Sequence, residues 1–319
     1  MKHPGESMKH SVDPANPLSP LNHMAPLQTA ENLYKTFFKH FGKYAWIPVL
    51  LILLLVGIQK YRDYKDSIAP MPVNPDLRIQ FIDVGQADAA LLICEGQTML
   101  IDGGNVGDGD KIYSVLKERK IEVLDYIVCT HAHEDHVGGL AAALTACEAK
   151  TVFCPVRDYD SSAFRNFADR AKEITIPHPG DRFELGSAKV QILACDPDAE
   201  ETNNTSIVLK LTYGQTSFLF TGDAEYPVEQ TIMDQGYDPS STVLKVGHHG
   251  SSSSTSYRFL NTVMPQYAVI SVGTDNSYGH PDDTVLSRLR DADVTVFRTD
   301  LDGDIFCTSD GKKVTFTSP

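Results

Sequence analysis

Basic residues are scarce in this 319-residue chain: 28 Lys and Arg stand against 42 Asp and Glu. The shortage is uneven. Residues 1–75 hold eight basic and five acidic residues, so residues 76–319 carry 20 against 37, a formal balance of −17. A domain so acidic does not attract polyanions through its overall field, and bound divalent cations offset such charge only locally. The six cysteines (Cys94, Cys129, Cys147, Cys154, Cys195 and Cys307) lack CxxC or zinc-ribbon spacing. Cys94 and Cys129 lie in apolar runs that read as buried strands, where a thiol packs as a small apolar group. Structural thiols are expected rather than a disulfide framework, and Cys147 with Cys154 is the pair to check for a bridge. No repeat of solenoid period is present. Long apolar runs are missing too. The longest uncharged one, AWIPVLLILLLVGI at 45–58, spans about 21 Å as a helix, short of a hydrocarbon core of about 30 Å.

What is present begins with a tail, residues 1–43, whose first thirty positions are rich in Pro, Ser, Asn and His and read as disordered. Aromatic residues flank the apolar run (Phe37, Phe38, Phe41 and Tyr44 before it, Tyr61 and Tyr64 after) and favour membrane interfaces, so a membrane anchor is expected at 44–61. A cleaved signal peptide is the competing reading, but a small-x-small cleavage site does not follow. Three basic residues on each side leave orientation unsettled by charge. A linker (62–76, with APMPVNP at 69–75) leads to a domain at 77–319.

In that domain short strands alternate with helices. LRIQFIDV (77–84), ADAALLIC (87–94) and QTMLIDGG (97–104) form a meander, and a helix near 109–120 leads to the buried strand LDYIVCT (124–130). Further strands are expected at 189–195, 206–214, 216–222, 241–247, 267–273 and 294–299, with helices near 225–235, 256–264 and 282–291. Strand pairs covered by helices in two successive halves imply a layered α/β sandwich.

The chemistry concentrates in THAHEDHVGG, residues 130–139, directly after a buried strand. Alternate positions of an extended turn share a side, so His131 and His133 are placed to bind one ion. Asp135 and His136 then face a second about 3.5–4 Å away, the spacing of two-metal hydrolytic sites. Imidazole and carboxylate suit zinc, manganese or iron. A solvated polar loop does not put three His and two acids against a core strand.

With FIDVGQADA (81–89), LLICEGQTMLIDGG (91–104), NNTSIVLKLTYGQTSFLFTGDAE (203–225), LKVGHHGSSSSTS (244–256) and SYGHP (277–281), the chain resembles the metallo-β-lactamase superfamily. It is most similar there to the hydrolase domain of ComEC-type competence proteins and to phosphorylcholine esterases. The resemblance implies an αββα four-layer sandwich, here preceded by one hydrophobic helix, and two divalent ions, Zn²⁺ or Mn²⁺. It makes Asp223 the bridging carboxylate, His248 the last ligand of the second ion, and His249 a donor to substrate, although the two histidines could exchange roles. It brings His280 to the rim, as a phosphoryl contact or a proton donor to the leaving group. Asp102 is expected to accept from a ligating histidine, while Asp83 and Asp88 brace the turn DVGQAD, where Ala87 replaces a glycine usual in the family. Where many members supply another histidine, this chain has Asn203 and Asn204, which implies a looser first ion. The Ser run 251–254 before a helix offers donors to phosphate or is simply a flexible loop.

The implied activity is metal-dependent hydrolysis: of phosphodiesters, single-stranded DNA among them, or of a small exported ester such as phosphorylcholine or a lactone. A non-catalytic binding module is the third reading. The ComEC-type resemblance and the 45–58 run together lead one to expect a membrane-anchored protein with its catalytic domain outside the cytoplasm.

Overall fold

A computed structural model describes residues 35, 39, 42, 46–66 and 76–318. The expected disordered tail (1–30) and the Pro-rich part of the linker (67–75) lie outside the described residues. Helix α1, Trp46–Asp66, is apolar only as far as Ile58, and Lys60, Arg62, Asp63, Lys65 and Asp66 fill its last two turns. No helix among the described residues is long and apolar enough to cross a membrane. The expectation of a transmembrane anchor at 44–61, and with it a membrane-held catalytic domain, is therefore corrected. Thirteen residues rise only about 20 Å, two-thirds of a hydrocarbon core of about 30 Å. The helix also runs on through Asp66, past the position where a linker was expected.

Residues 76–318 build two seven-stranded sheets. The first has strand order β14-β13-β1-β2-β3-β4-β5. Its members are β1 (Leu77–Phe81), β2 (Ala90–Cys94), β3 (Gln97–Ile101), β4 (Val123–Val128), β5 (Glu148–Phe153), β13 (Ile305–Ser309) and β14 (Val314–Thr317). The second runs β12-β11-β10-β9-β8-β7-β6, from β6 (Arg182–Leu185), β7 (Ala188–Ala194), β8 (Val208–Tyr213), β9 (Thr216–Phe220), β10 (Val243–Lys245) and β11 (Tyr267–Ile270) to β12 (Thr295–Arg298). In each sheet an antiparallel meander passes into parallel strands: β3, β4 and β5 in the first, β9 to β12 in the second.

Side-chain alternation assigns the layers. On β1 and β2, Leu77, Ile79, Phe81, Ala90, Leu92 and Cys94 point inward, to meet Ile192, Leu209, Phe218 and Val243 of the second sheet. The opposite faces are buried as well, which is why these strands read as unbroken apolar runs. Leu91, Ile93 and Leu100 pack under α2 (Gly109–Glu118), α4 (Leu140–Ala146) and α5 (Ser162–Ala171); the short α3 (Glu134–Val137) lies between α2 and α4 in the chain. Leu219, Leu244 and Ile270 pack under α6 (Tyr226–Asp234), α7 (Tyr257–Val263) and α8 (Asp283–Asp291). A last short helix, α9, covers Thr299–Asp302. The outcome is helix, sheet, sheet, helix. All six cysteines are free and buried, so a Cys147–Cys154 bridge is absent.

Candidate metal centre

The site forms where loops leave the sheet ends. After β4 the chain bends through 131–133 and turns into α3 at Glu134, with His133 itself extended. This bend brings His131 Nε2 within 3.1 Å of His133 Nδ1. His136, one turn into the helix, is fully buried and lies with its ring 4.1 Å from that of His131. Gly138 and Gly139 are needed because another loop lies against them. A Cβ on Gly138 would meet Val106 N at 2.3 Å, and one on Gly139 would meet Gly103 O at 2.0 Å. That loop carries Asp102, which accepts from Thr130 N (2.8 Å) and Thr130 Oγ1 (2.7 Å) and lies 2.9 Å from His136 Nδ1. The expected supporting role of Asp102 thus has a geometric form. With Nδ1 held, His136 Nε2 faces inward.

It faces Asp223, which the second sheet presents just after β9. Asp223 Oδ1 lies 3.3 Å from His136 Nε2, and its Oδ2 lies 3.9 Å from His131, 3.7 Å from His248 and 3.7 Å from His249. The histidine pair has left-handed backbone at both residues, φ 51° and 53°, a conformation costing about 1–2 kcal/mol per non-glycine residue. Such strain persists where surrounding structure fixes it, as at functional sites. His249 is buried, its Nδ1 held at 3.0 Å by Ser271 O and its Nε2 3.3 Å from Asp135 Oδ2. His248 is partly open, with Nδ1 beside Ser253 Oγ (3.3 Å) and Glu225 Oε1 (3.4 Å). Asp135, His136, Asp223 and His249 place one ligand atom each within 4.8 Å of one another. His249 is thus grouped with Asp135, His136 and Asp223, while His248, equally near Asp223, is the more open of the pair. Two successive left-handed residues rotate the rings in a way that counting along an extended chain does not anticipate.

Opposite charges shape the cluster. Burial alone raises a carboxylate, yet His136 and His249 around Asp223 hold it well below the usual range. Asp135 is likewise lowered against burial, first by the adjacent His249 ring and then by the His136 charge. The converse holds for the rings. Burial lowers His136 and His249, but Asp223, with Asp102 for the one and Asp88 for the other, outweighs it and raises both. His131, further from the carboxylates, is lowered well below the histidine range by burial and by His136. His136 Nε2, Asp223 Oδ1 and His249 Nε2 are nonetheless buried without a hydrogen-bond partner. Native proteins rarely leave such atoms orphaned, and imidazole nitrogens converging on a carboxylate are the donor set of a divalent ion. The residues fit that group.

Around the cluster is a cleft of about 660 Å³, lined by Gln86, Asn105, His133, Glu134, Asn203 and Tyr278 besides the histidines and aspartates. Asn203 has a buried, unpartnered Oδ1 and its Nδ2 3.5 Å from His248 Nε2, whereas Asn204 is engaged with Glu225 through its own Oδ1. His280 stands at the rim with its ring 5.7 Å from that of His248 and an unpartnered Nδ1. Burial, then His248, lowers its pKa. The Ser run is not a free phosphate cradle. Ser253 Oγ donates to Glu225, Ser254 Oγ to Ala224 O, and Thr255 N and Ser256 N are taken by Glu229. Sequence reasoning missed Lys245, whose buried ammonium lies 2.8 Å from Asp88 Oδ1 beneath His249. The signal was there: a lone lysine in the otherwise apolar strand VLKVG.

Two sheets whose loop ends converge on histidines and aspartates define a class. Residues 82–274 match the family described as Metallo-beta-lactamase superfamily, and the chain belongs to it, as a hydrolase with a potential metal site. Particular relatives are bacterial. ComE operon protein 3 of Bacillus subtilis (strain 168) is 30% identical over 250 residues, 71% of this chain and 32% of that protein. Competence protein ComA of Neisseria gonorrhoeae is 29% identical over 259 residues, 79% of this chain and 34% of that protein. The chain thus spans about a third of the length of these curated relatives. Among solved structures, the metallo-beta-lactamase fold protein YhfI from Bacillus subtilis has 13% identity and a TM-score of 0.48, covering 70% of this chain and 96% of that one.

Proposed function

We propose that residues 77–319 form a two-metal phosphodiesterase, with Zn²⁺ or Mn²⁺ as cofactor and diesters of short reach, including those of single-stranded DNA, as substrates. The observation that carries it is the set of buried, unpartnered atoms around Asp223: His136 Nε2, Asp223 Oδ1 and His249 Nε2. His131 and His133 would hold one ion, Asp135, His136 and His249 the other, with Asp223 between. Asn203, which lines the cleft, would add an amide oxygen to the first ion. Such a pair, when bound, supplies Lewis acidity towards a phosphoryl oxygen and towards water.

The chain's own side chains do the rest. Asp102 fixes the His136 ring, Ser271 O fixes His249, and Asp223 keeps its charge between them. His248, backed by Glu225 and Ser253, and His280 stand on the open side, where a leaving group takes its proton. The names of the relatives connect this reading to competence. Among the described residues the cleft lining holds no Lys or Arg, which favours a short diester over a long polyanion. That same observation supports a second reading, hydrolysis of a small ester such as phosphorylcholine or a lactone.

The test offers bis-p-nitrophenyl phosphate, single-stranded DNA and a lactone in parallel to the full chain loaded with Mn²⁺ or Zn²⁺. Diester cleavage abolished by a chelator and restored by metal is the expected result. Turnover of the lactone alone, or a metal content near zero after loading, refutes it.

A further inference from the structure

With no Lys or Arg lining the cleft among the described residues, metal ions would take the phosphate and the flanking groups would need another contact. The aromatic rim offers the alternative. Tyr278 is 72% exposed and lines the cleft. Its ring stacks on His280, with centroids 5.7 Å apart and planes 23° from parallel. The His280 ring in turn meets His248 edge-on at 5.7 Å, and His248 Nε2 lies 3.7 Å from Asp223. A ladder of three rings therefore climbs from the acidic cluster to solvent, and its last ring is largely uncovered.

The loop that bears Tyr278 is braced. Asn276 Nδ2 donates to Gly273 O (2.9 Å) and to His280 O (2.6 Å), and its Oδ1 accepts from His280 N (3.0 Å). At the root of the loop, Gly273 N donates to Gln86 Oε1 (3.1 Å), and a Cβ on Gly273 would meet Gln86 N at 2.6 Å. The same Gln86 lines the cleft with a buried Nε2 that lacks a partner. A planar surface on a fixed mount, with an unused amide donor in the same cleft, matches a flat heteroaromatic group that carries acceptors on its edge.

We infer that Tyr278, stacked on His280, is the binding platform for a nucleobase next to the scissile phosphorus, so that the substrate is a nucleoside phosphodiester. The inference rests on the phosphodiesterase reading and adds what flanks the phosphorus. Stacking on an aromatic side chain tolerates every base, so affinity depends on the presence of a base and little on its identity. Gln86 adds an edge contact.

The test compares two small diesters on the metal-loaded full chain: a dithymidine monophosphate and its abasic counterpart, with tetrahydrofuran in place of each nucleoside. The wild-type protein is expected to prefer the base-bearing diester in kcat/KM by about 5- to 150-fold, the usual worth of one stacked base. Tyr278→Ala should bring that ratio close to one, and Tyr278→Phe should preserve it. A wild-type ratio near one, or an unchanged ratio in Tyr278→Ala, overturns the inference while leaving the phosphodiesterase reading intact. Failure of the wild-type protein to cleave either diester or bis-p-nitrophenyl phosphate removes that reading, and the stacking platform with it.

Discussion

Lys245→Met deletes a buried cation and shortens the side chain by one heavy atom. Lys245 Nζ lies 2.8 Å from Asp88 Oδ1, 2.9 Å from Asp88 Oδ2 and 3.0 Å from Val246 O, and the two side chains are each 6% exposed. The methionine can fill the space but leaves the Asp88 carboxylate in a dry interior. Removing one partner of a buried pair costs about 3–5 kcal/mol, chiefly the desolvation of the survivor. In a domain of this size each kcal/mol moves the midpoint by about 2–4 °C, so a drop of about 6–20 °C is expected. Asp88→Asn should be destabilising as well, and the double variant should recover a large part of the summed loss, because neither ion then remains unpaired. The consequence reaches the site: Asp88 N donates to Asp135 O (3.0 Å), Gly104 N donates to Asp88 O (2.8 Å), and Asp88 Oδ1 lies 3.8 Å from His249 Nδ1. Urea unfolding at pH 7 of the four proteins forms the cycle, with metal content by elemental analysis beside it. A loss under 1 kcal/mol in Lys245→Met, or strict additivity in the double variant, would refute the reasoning.

Three further outcomes follow from the same geometry. Asp102→Asn should weaken metal binding about 10- to 100-fold, the usual worth of a group that orients a ligating histidine; equal affinity by competition with a chromogenic chelator would count against it. His249→Ala should lose metal, whereas His248→Ala should keep it and lower kcat by about 10²–10⁴-fold; stoichiometry and kcat measured on identically loaded protein decide between this order and its reverse. Burial pushes the Cys147 thiol up to about 11 and the Cys195 thiol up to about 12, against an ordinary value of about 8.5. Native protein should thus resist thiol reagents at pH 7.5. Between the ordinary and the raised values the unfolded chain gives up protons that the folded one keeps, so stability should fall as pH rises past about 9; a flat stability profile from pH 8 to 11 would contradict this.

Much of the architecture was legible because so many strands are buried on both faces. ALLIC and VLDYIV announce themselves as apolar runs. The strand β5, EAKTVF, does not: it closes an edge, and its side chains alternate between solvent and partial cover. The helix α5, SAFRNFADRA, hides four buried residues among charges. Strands β13 and β14 were missed, since only tertiary pairing of β13 with β1 makes IFCTS the continuation of the first sheet. In the site, the decapeptide 130–139 was readable because its spacing is local. The burial of His249 beside a more open His248 was not, because it depends on positive φ at both residues. Nor was Lys245, since a lysine in a strand ordinarily reads as an outward-facing charge. The apolar run at 45–58 misled for a simpler reason: aromatic neighbours do not lengthen a helix whose next turns carry Lys60, Arg62 and Asp63.

The cluster draws His131, His133, Asp135 and His136 from loops of one sheet and Asp223 and His249 from loops of the other. Neither half of the chain therefore carries a working set of donors. A growing polypeptide that has emerged only as far as β5, or one clipped between β5 and β6, would be chemically mute even with His131 to His136 intact. A cation gripping both sets would act as a rivet between the two sheets. Its concentration would then set how tightly the molecule holds together, adding stability as RT ln(1 + [M]/Kd).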